Sequence, residues 1–283
     1  MRRPLDLLPD AALPVHILAE QEFCELKVDY ELKNPGMEHL ITAEAALAAQ
    51  NEKRRVGRRV HTAMASDAVP VTQGTGFGVL ESGESVLLRE WPLRGKYRTI
   101  AMAGRPDVIY ADSAGSIWIL EFKVRQRSYP TEVDDAQLRA YGWLLRGLQG
   151  LANKQIWLAC VSVPPSLEPV IDAATANEKV RLIREICVPP PASWWRRRFL
   201  ASHAVANVAR TRVKSAVMKY DERKSRQELH FLTAYWYGRR RPLPTSKPYK
   251  CAACPINAIG RCRSALVAFG TPTPRRRRQA SAG

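Results

Sequence analysis

The chain has 283 residues, a length that suits one large domain or one domain with a helical extension. Hydrophobic residues make up 46% of it, which supports a real core and excludes wholesale disorder. Lys and Arg number 44 against 27 Asp and Glu, a formal balance of +17, and such a field draws polyanions: nucleic acid first, an anionic membrane surface second.

The start, MRRPLDLLPDAALP, carries two Arg but no clean apolar run, so no signal peptide is expected there and the protein is read as cytoplasmic. No stretch reaches the ~18 apolar residues that span a bilayer, so no membrane partner is expected. Residues 37–68 predict a helix ending in GRRVHTAMASD, with a Gly-rich break, VTQGTGFG, after it. Residues 77–124 predict a β-meander of short runs, GVLESG, ESVLLREWPLRG, YRTIAMAGRPDVIYAD and SIWILEFKV. Val133, Ala136, Ala140, Leu144 and Leu148 recur at helical spacing, so 131–149 reads as an amphipathic helix. KQIWLACVSV, 154–163, reads as an apolar strand stopped by Pro164-Pro165. A second strand is expected at 179–188 and two basic helices over 192–237. A cysteine-rich segment follows, and the tail TPTPRRRRQASAG is expected to be disordered. No solenoid-like repeat is visible.

The order helix, meander, helix, strand implies an α/β fold with a mixed central sheet flanked by helices. Five segments are expected: 1–36, an N-terminal piece supplying one cysteine; 37–164, the core; 165–240, a basic, mostly helical insert; 241–265, the cysteine-rich segment; and 266–283, the basic tail.

Side chains alternate faces along a strand, so in SIWILEFKV residues Ile117, Ile119, Glu121 and Lys123 share one face. Trp118, Leu120, Phe122 and Val124 share the other. An acid and a lysine on a partly buried face are costly without a partner or an ion. A hairpin centred on Ala114 would set Asp107 opposite Glu121, with Cβ atoms ~4.5–5.5 Å apart. Carboxylates that close repel unless a cation bridges them, and a hard divalent ion with oxygen ligands would do so. The plainer reading is a Glu–Lys pair on a solvated strand with Asp107 serving the turn. His61, one helical turn after Gly57, is by itself an ordinary helix residue; beside carboxylates its imidazole suits Mn²⁺ better than Mg²⁺. Gln137 and Tyr141 are four apart and share a helix face, aimed either at such an ion or DNA, or simply at the core and the surface.

The six cysteines are Cys24, Cys160, Cys187, Cys251, Cys254 and Cys262. In a reducing compartment, clustered thiols bind metal or do redox chemistry more often than they form disulfides. Cys251, Cys254 and Cys262 in KCAACPINAIGRC supply three thiolates, and a four-coordinate site needs a fourth. Cys24, in FCELK, is a candidate; Cys160 and Cys187 read as plain buried thiols. Spacing does not decide between zinc and an iron–sulfur cluster. Trp194, Trp195, Tyr235, Trp236 and Tyr237 flank basic runs, where stacking on unpaired bases competes with packing, the reading we favour.

One early cysteine, G-x-x-x-H, a hairpin aspartate, E-x-K, Q-x-x-x-Y and three late cysteines form an ordered set running from Cys24 to Cys262. That set resembles the CRISPR-associated Cas-four exonucleases, RecB-like iron–sulfur nucleases of the PD-(D/E)xK superfamily. The resemblance implies a restriction-endonuclease-like core and a [4Fe-4S] cluster on Cys24, Cys251, Cys254 and Cys262. It implies Mn²⁺ or Mg²⁺ held by His61, Asp107 and Glu121, with Phe122 counted in the metal set. Lys123 would then be catalytic, with Gln137 and Tyr141 supporting the site. The implied activity is a single-stranded DNA exonuclease, often 5′→3′, trimming prespacer ends with the Cas-one and Cas-two integrase. The length, concentrated near 165–240, and the RRRR tail are not part of that motif set. Two further readings remain open: a repair, recombination or mobile-element nuclease outside CRISPR, and a non-catalytic iron–sulfur DNA-binding module. No G-x-x-x-x-G-K-[ST] loop is present, which argues against a fused helicase.

Overall fold

The computed structural model describes residues 3–8, 12–35, 55–60, 62–63, 69–70, 78, 80, 86–125, 130–187, 198–201, 212–262 and 264. Among them is a seven-stranded mixed sheet in the order β2-β3-β6-β7-β8-β10-β9. Its strands are β2 (Val69–Pro70), β3 (Val86–Arg89), β6 (Val108–Ala111), β7 (Ile117–Val124), β8 (Ile156–Val163), β9 (Arg198–Ala201) and β10 (Arg212–Lys219). A smaller sheet, ordered β1-β5-β4, holds β1 (Leu13–Pro14), β4 (Leu93–Tyr97) and β5 (Ile100–Gly104). Helices flank the sheets, so the mixed α/β architecture expected from the sequence is the one observed.

The centre of the fold is β7 and its parallel neighbour β8, joined by helix α3 (Glu132–Arg146). Parallel strands need such a crossover. Thr131 caps α3: its hydroxyl accepts from the Asp134 amide, and Asp134 Oδ2 accepts from the Thr131 amide at 2.6 Å. The two faces of β7 enter different cores, as the alternation dictates. Ile117 and Ile119 pack with Ile109, Leu158, Cys160 and Tyr141 under α3. Trp118, Leu120 and Phe122 pack with Val161, Leu182 and Ile183 on the other side. Trp118 also stacks on Trp157, with ring centroids 5.4 Å apart.

Several expectations are corrected. The meander over 77–124 is divided between the two sheets: β3, β6 and β7 lie in the large one, β4 and β5 in the small one. The break falls at Glu90, whose φ of 42° turns the chain, and at Pro92, which cannot donate to a ladder. Gly78 and Leu80, expected in a strand, are helical, since a short apolar run does not separate strand from helix. The strand expected at 179–188 is a helix, α5 (Ala176–Ile186), which follows α4 (Glu168–Ala173). A Thr175–Glu178 capping box starts it, and Leu182, Ile183 and Ile186 bury one helical face. Among the described residues of 192–237, where two helices were expected, β9 and β10 extend the large sheet and the helix α6 (Glu222–Trp236) follows. The period-two signal was present in VKSAVMKY, with Val213 and Val217 in one core and Met218 and Tyr220 in the other. The insert is therefore built into the sheet through β10 and β8. Of the helix expected over 37–68, residues 55–60 and 62–63 are described and helical. His61, Trp194, Trp195 and the tail 266–283 lie outside the described residues.

The N-terminal piece contributes more than a cysteine. Leu13, Val15 and Leu18, from β1 and helix α1 (Val15–Glu20), are fully buried in the main core. Helix α2 (Glu25–Lys33) follows Cys24. Tyr235 and Trp236 pack rather than stack on a ligand: the Trp236 indole N–H donates to Gln21 Oε1 at 2.8 Å and the Tyr235 hydroxyl to Asp29 Oδ1 at 2.9 Å.

Helices α3 and α6 meet at Arg139 and Glu228, 3.2 Å apart. Burial outweighs that attraction and, with Glu22 and Asp135 nearby, pushes the Glu228 carboxyl up to about 7. The fold thus favours neutral Glu228. Its contribution is complete below the ordinary carboxylate value of 4.5 and is lost as pH rises through about 7. Between about pH 5 and about pH 8 the wild type should therefore lose melting temperature relative to Glu228→Gln, checked by thermal scans of both proteins; parallel curves would refute the shift.

Candidate active site

The β6–β7 register pairs Val108 with Leu120 and Ala111 with Ile117, which centres the hairpin on Ala114. The turn closes with Gly115 at a φ of 79°, where a glycine carries no Cβ penalty. Continuing the register by one residue brings Asp107 across from Glu121. Asp107 Oδ2 accepts the Phe122 amide N–H at 2.7 Å, which fixes the carboxylate over β7. The Phe122 side chain is buried in the opposite core, so any contribution it made to an ion would come from its main chain.

Glu121 is only 4% exposed. Its Oε1 accepts from Lys123 Nζ at 2.8 Å and from Gln137 Nε2 at 2.9 Å. Gln137 Oε1 accepts a second Lys123 proton at 3.1 Å, and Gln137 Nε2 also donates to Tyr141 Oη at 3.1 Å. The Tyr141 hydroxyl donates in turn to the Arg105 carbonyl at 3.1 Å. Glu121, Lys123, Gln137 and Tyr141 thus form one network, with Asp107 beside it in the residue before β6. Its members come from β7, α3 and the β5–β6 connection. The i, i+4 spacing of Gln137 and Tyr141 puts both on the face of α3 that meets β7.

Burial works against the Lys123 ammonium, but Glu121 beside it, with Asp134 and Asp107, outweighs that and raises its pKa. Lys123 therefore stays charged. Burial, reinforced by the Glu121 charge, pushes the Tyr141 hydroxyl up, so it remains a neutral donor.

Three supporting residues escaped sequence reasoning. Asp134 is 3% exposed and accepts from Arg125 Nη1 at 2.6 Å, while its other oxygen lies 3.9 Å from Lys123 Nζ. Arg125 also donates to Ser162 Oγ and Cys160 Sγ, tying β7, β8 and the start of α3 together. Their signal was the Thr131-x-x-Asp134 capping pattern. Gly104 is the third. A Cβ there would stand 2.5 Å from Tyr141 Cε1 and 2.9 Å from Val15 Cγ2. Gly104→Ala should cost about 1–3 kcal/mol by overpacking and displace the Tyr141 ring. Chemical denaturation checks the first effect, and an intact Tyr141–Arg105 hydrogen bond in a crystal structure of the variant would refute the second.

The four cysteines of the expected cluster, Cys24, Cys251, Cys254 and Cys262, line one cavity with Phe23, Tyr30 and Ile256. None of the six cysteines is in a disulfide. Cys24 and Cys254 sit at the N-caps of α2 and of α8 (Pro255–Ala258), and Cys251 lies within α7 (Pro248–Ala252). Burial raises the Cys254 thiol, and Cys24 and Cys262 stand close enough to raise it further. Four soft donors around a common hollow fit a thiolate-ligated centre. Cys160 and Cys187 stand apart as buried thiols, and burial pushes Cys160 up to about 12. Among the described residues no three His, Cys, Asp or Glu side chains converge tightly enough to make a finished metal centre. The hairpin offers two carboxylates, and the cysteines line a hollow rather than meet at a point.

The cysteine segment is pinned to the start of α3. Lys250 Nζ donates to Glu132 Oε2 at 2.8 Å, and Lys247 pairs with the same carboxylate. Glu132 is the first residue of α3, the helix carrying Gln137 and Tyr141.

No protein-family model matches the chain. It is 26% identical over 290 residues to exonuclease V of Danio rerio, an alignment covering 89% of this chain and 70% of that protein. The chain is thus similar in sequence to a nuclease. A crystal structure of the protein SSO0001 superposes with a TM-score of 0.48 and 13% identity, over 92% of this chain and 89% of that one. No described helix is long and apolar enough to cross a membrane.

Proposed function

We propose that this chain is a metal-dependent DNA exonuclease acting on single strands. The observation that carries the reading is the buried network of Glu121, Lys123, Gln137 and Tyr141 beside Asp107. Asp107, Glu121 and His61 would hold Mn²⁺ or Mg²⁺, an ion that supplies Lewis acidity to the phosphodiester and acidifies water when bound. Each protein group has a separate task. The Phe122 amide holds Asp107 in place. Gln137 orients Glu121 and Lys123 at once, and Tyr141 locks Gln137 against the Arg105 carbonyl. Lys123, fixed and charged, faces the negative charge that builds on the scissile phosphate.

The four cavity cysteines would hold a [4Fe-4S] cluster that clamps α2 to the C-terminal segment. The pathway has two readings. Trimming prespacer ends beside the Cas-one and Cas-two integrase rests on the order of the motifs. A repair or recombination role outside CRISPR is favoured by the similarity to exonuclease V across 89% of the chain. Retention of the protein by a purified Cas-one/Cas-two complex, or its passage through, separates them.

The direct test uses single-stranded DNA labelled at one end or the other, incubated anaerobically with Mn²⁺ or with chelator. Stepwise shortening from one end in Mn²⁺ alone is expected. Intact substrate in both, with DNA still bound, would leave the non-catalytic reading in its place.

A further inference from the structure

The small sheet turns one face to the core and one to solvent. Leu93 and Tyr97 point inward, and a Cβ on Gly95 would meet Leu144 of α3 at 3.0 Å. The residues between them, Arg94 and Lys96, are exposed, and so is Arg98 at the hairpin tip. Register sets Arg94 beside Ala103 and Lys96 beside Ala101, so the neighbouring strand offers only methyl groups. The result is a shallow shelf bordered by long cationic side chains. Among the described residues none of these three cations makes an ion pair.

The stripe also leads to the site. Leu93, next to Arg94, pairs with Gly104 at the end of β5, and exposed Arg105 and then Asp107 follow. Alternate residues of a strand stand about 6.6–6.8 Å apart. That spacing is of the same order as the separation of successive phosphates along an extended single strand. The strand is held rigid from behind: the Trp143 indole donates to the Lys96 carbonyl at 3.0 Å, and the Tyr97 hydroxyl to the Arg226 carbonyl at 3.1 Å. The first of these bonds satisfies one outward carbonyl of the edge strand. Arg98 opens the two-residue turn between Tyr97 and Ile100, and its φ of 54° is the left-handed value such a turn takes, one that suits Gly or Asn.

We propose that Arg94, Lys96 and Arg98 form a phosphate track along β4 that leads single-stranded DNA to the Asp107–Glu121 site. The proposal rests on the nuclease reading and names the path of its substrate. Each contact releases counterions, so the track predicts a salt slope as well as an affinity.

The test measures binding of a fluorescein-labelled oligothymidylate by anisotropy in chelator, where nothing is cleaved. Arg94→Ser/Lys96→Ser should bind more weakly, with a log–log salt slope shallower by about 1.4, at about 0.7 per single-strand contact. From 50 to 200 mM salt the wild type should then lose about sevenfold more affinity than the variant. Arg98→Asn, which suits the left-handed φ, should flatten the slope by about 0.7 with no fall in melting temperature, so misfolding does not account for it. Unchanged slopes would overturn the track; so would a change seen only with a blunt duplex. Wild-type cleavage in Mn²⁺ is read separately: flattened slopes without cleavage remove the nuclease reading, and cleavage with unchanged slopes removes only the track.

Discussion

Lys123→Ala should slow Mn²⁺-supported cleavage of single-stranded DNA by about 10²–10³-fold, the loss typical of removing one preorganised donor from a developing anion. DNA affinity in chelator should stay close to that of the wild type, because Lys123 is one cation in a chain with 44 Lys and Arg. The geometry gives the reason. Lys123 spends two protons on Glu121 Oε1 and Gln137 Oε1. An ammonium has three, so one direction remains for a phosphate oxygen. Glu121→Gln should be at least as damaging, since it removes a charge that the proposed ion would need and leaves Lys123 beside two amides. Gel-resolved single-turnover cleavage measures both. Wild-type rates in Lys123→Ala would end the assignment of the site.

Cys254→Ala should lose the cluster and, with it, the order of the segment around α7 and α8. Anaerobically purified wild type should be brown with about four irons per chain, and the variant colourless. The segment has little else to hold it. Among the described residues its own hydrophobic cluster holds two buried residues, Cys254 and Ile256, packed against partly buried Phe23, Tyr30, Ile259 and Cys262. Arg240 pairs with buried Glu25, and Lys250 with Glu132, so the segment is tied on through a few polar contacts rather than an apolar core. A metal site's binding energy becomes folding energy where the polypeptide core is small. Limited proteolysis should therefore cut near residues 241–262 in Cys254→Ala and in Cys24→Ala, while the sheet survives. A colourless, zinc-loaded wild type with full activity would refute the cluster.

Much of the site was legible because it depends on local periods. SIWILEFKV alternates, so the faces of Ile117 to Val124 follow from a two-residue repeat, and the observed cores divide along that line. The centring of the hairpin on Ala114 followed from the turn at Ser113-Ala114-Gly115. The spacing of Gln137 and Tyr141 needed only a helix. What failed were short apolar runs. VRLIREIC reads equally as strand or helix, and the Thr175–Glu178 cap decided it. VKSAVMKY was masked by its charges, though its alternate residues are buried on both sides of the sheet.

From the sequence alone came the identity of the polar groups, the alternation that puts Glu121 and Lys123 on one face, and the clustering of three late cysteines. Those are properties of neighbours along the chain, fixed by backbone periods of 2 and 3.6 residues. Tertiary structure alone decided that Cys24 faces the other three across one cavity, and that β4 and β5 leave the meander to make a separate shelf. Each of these joins residues far apart in the chain. Such contacts are selected by which apolar faces can be buried together, and no local pattern carries that information.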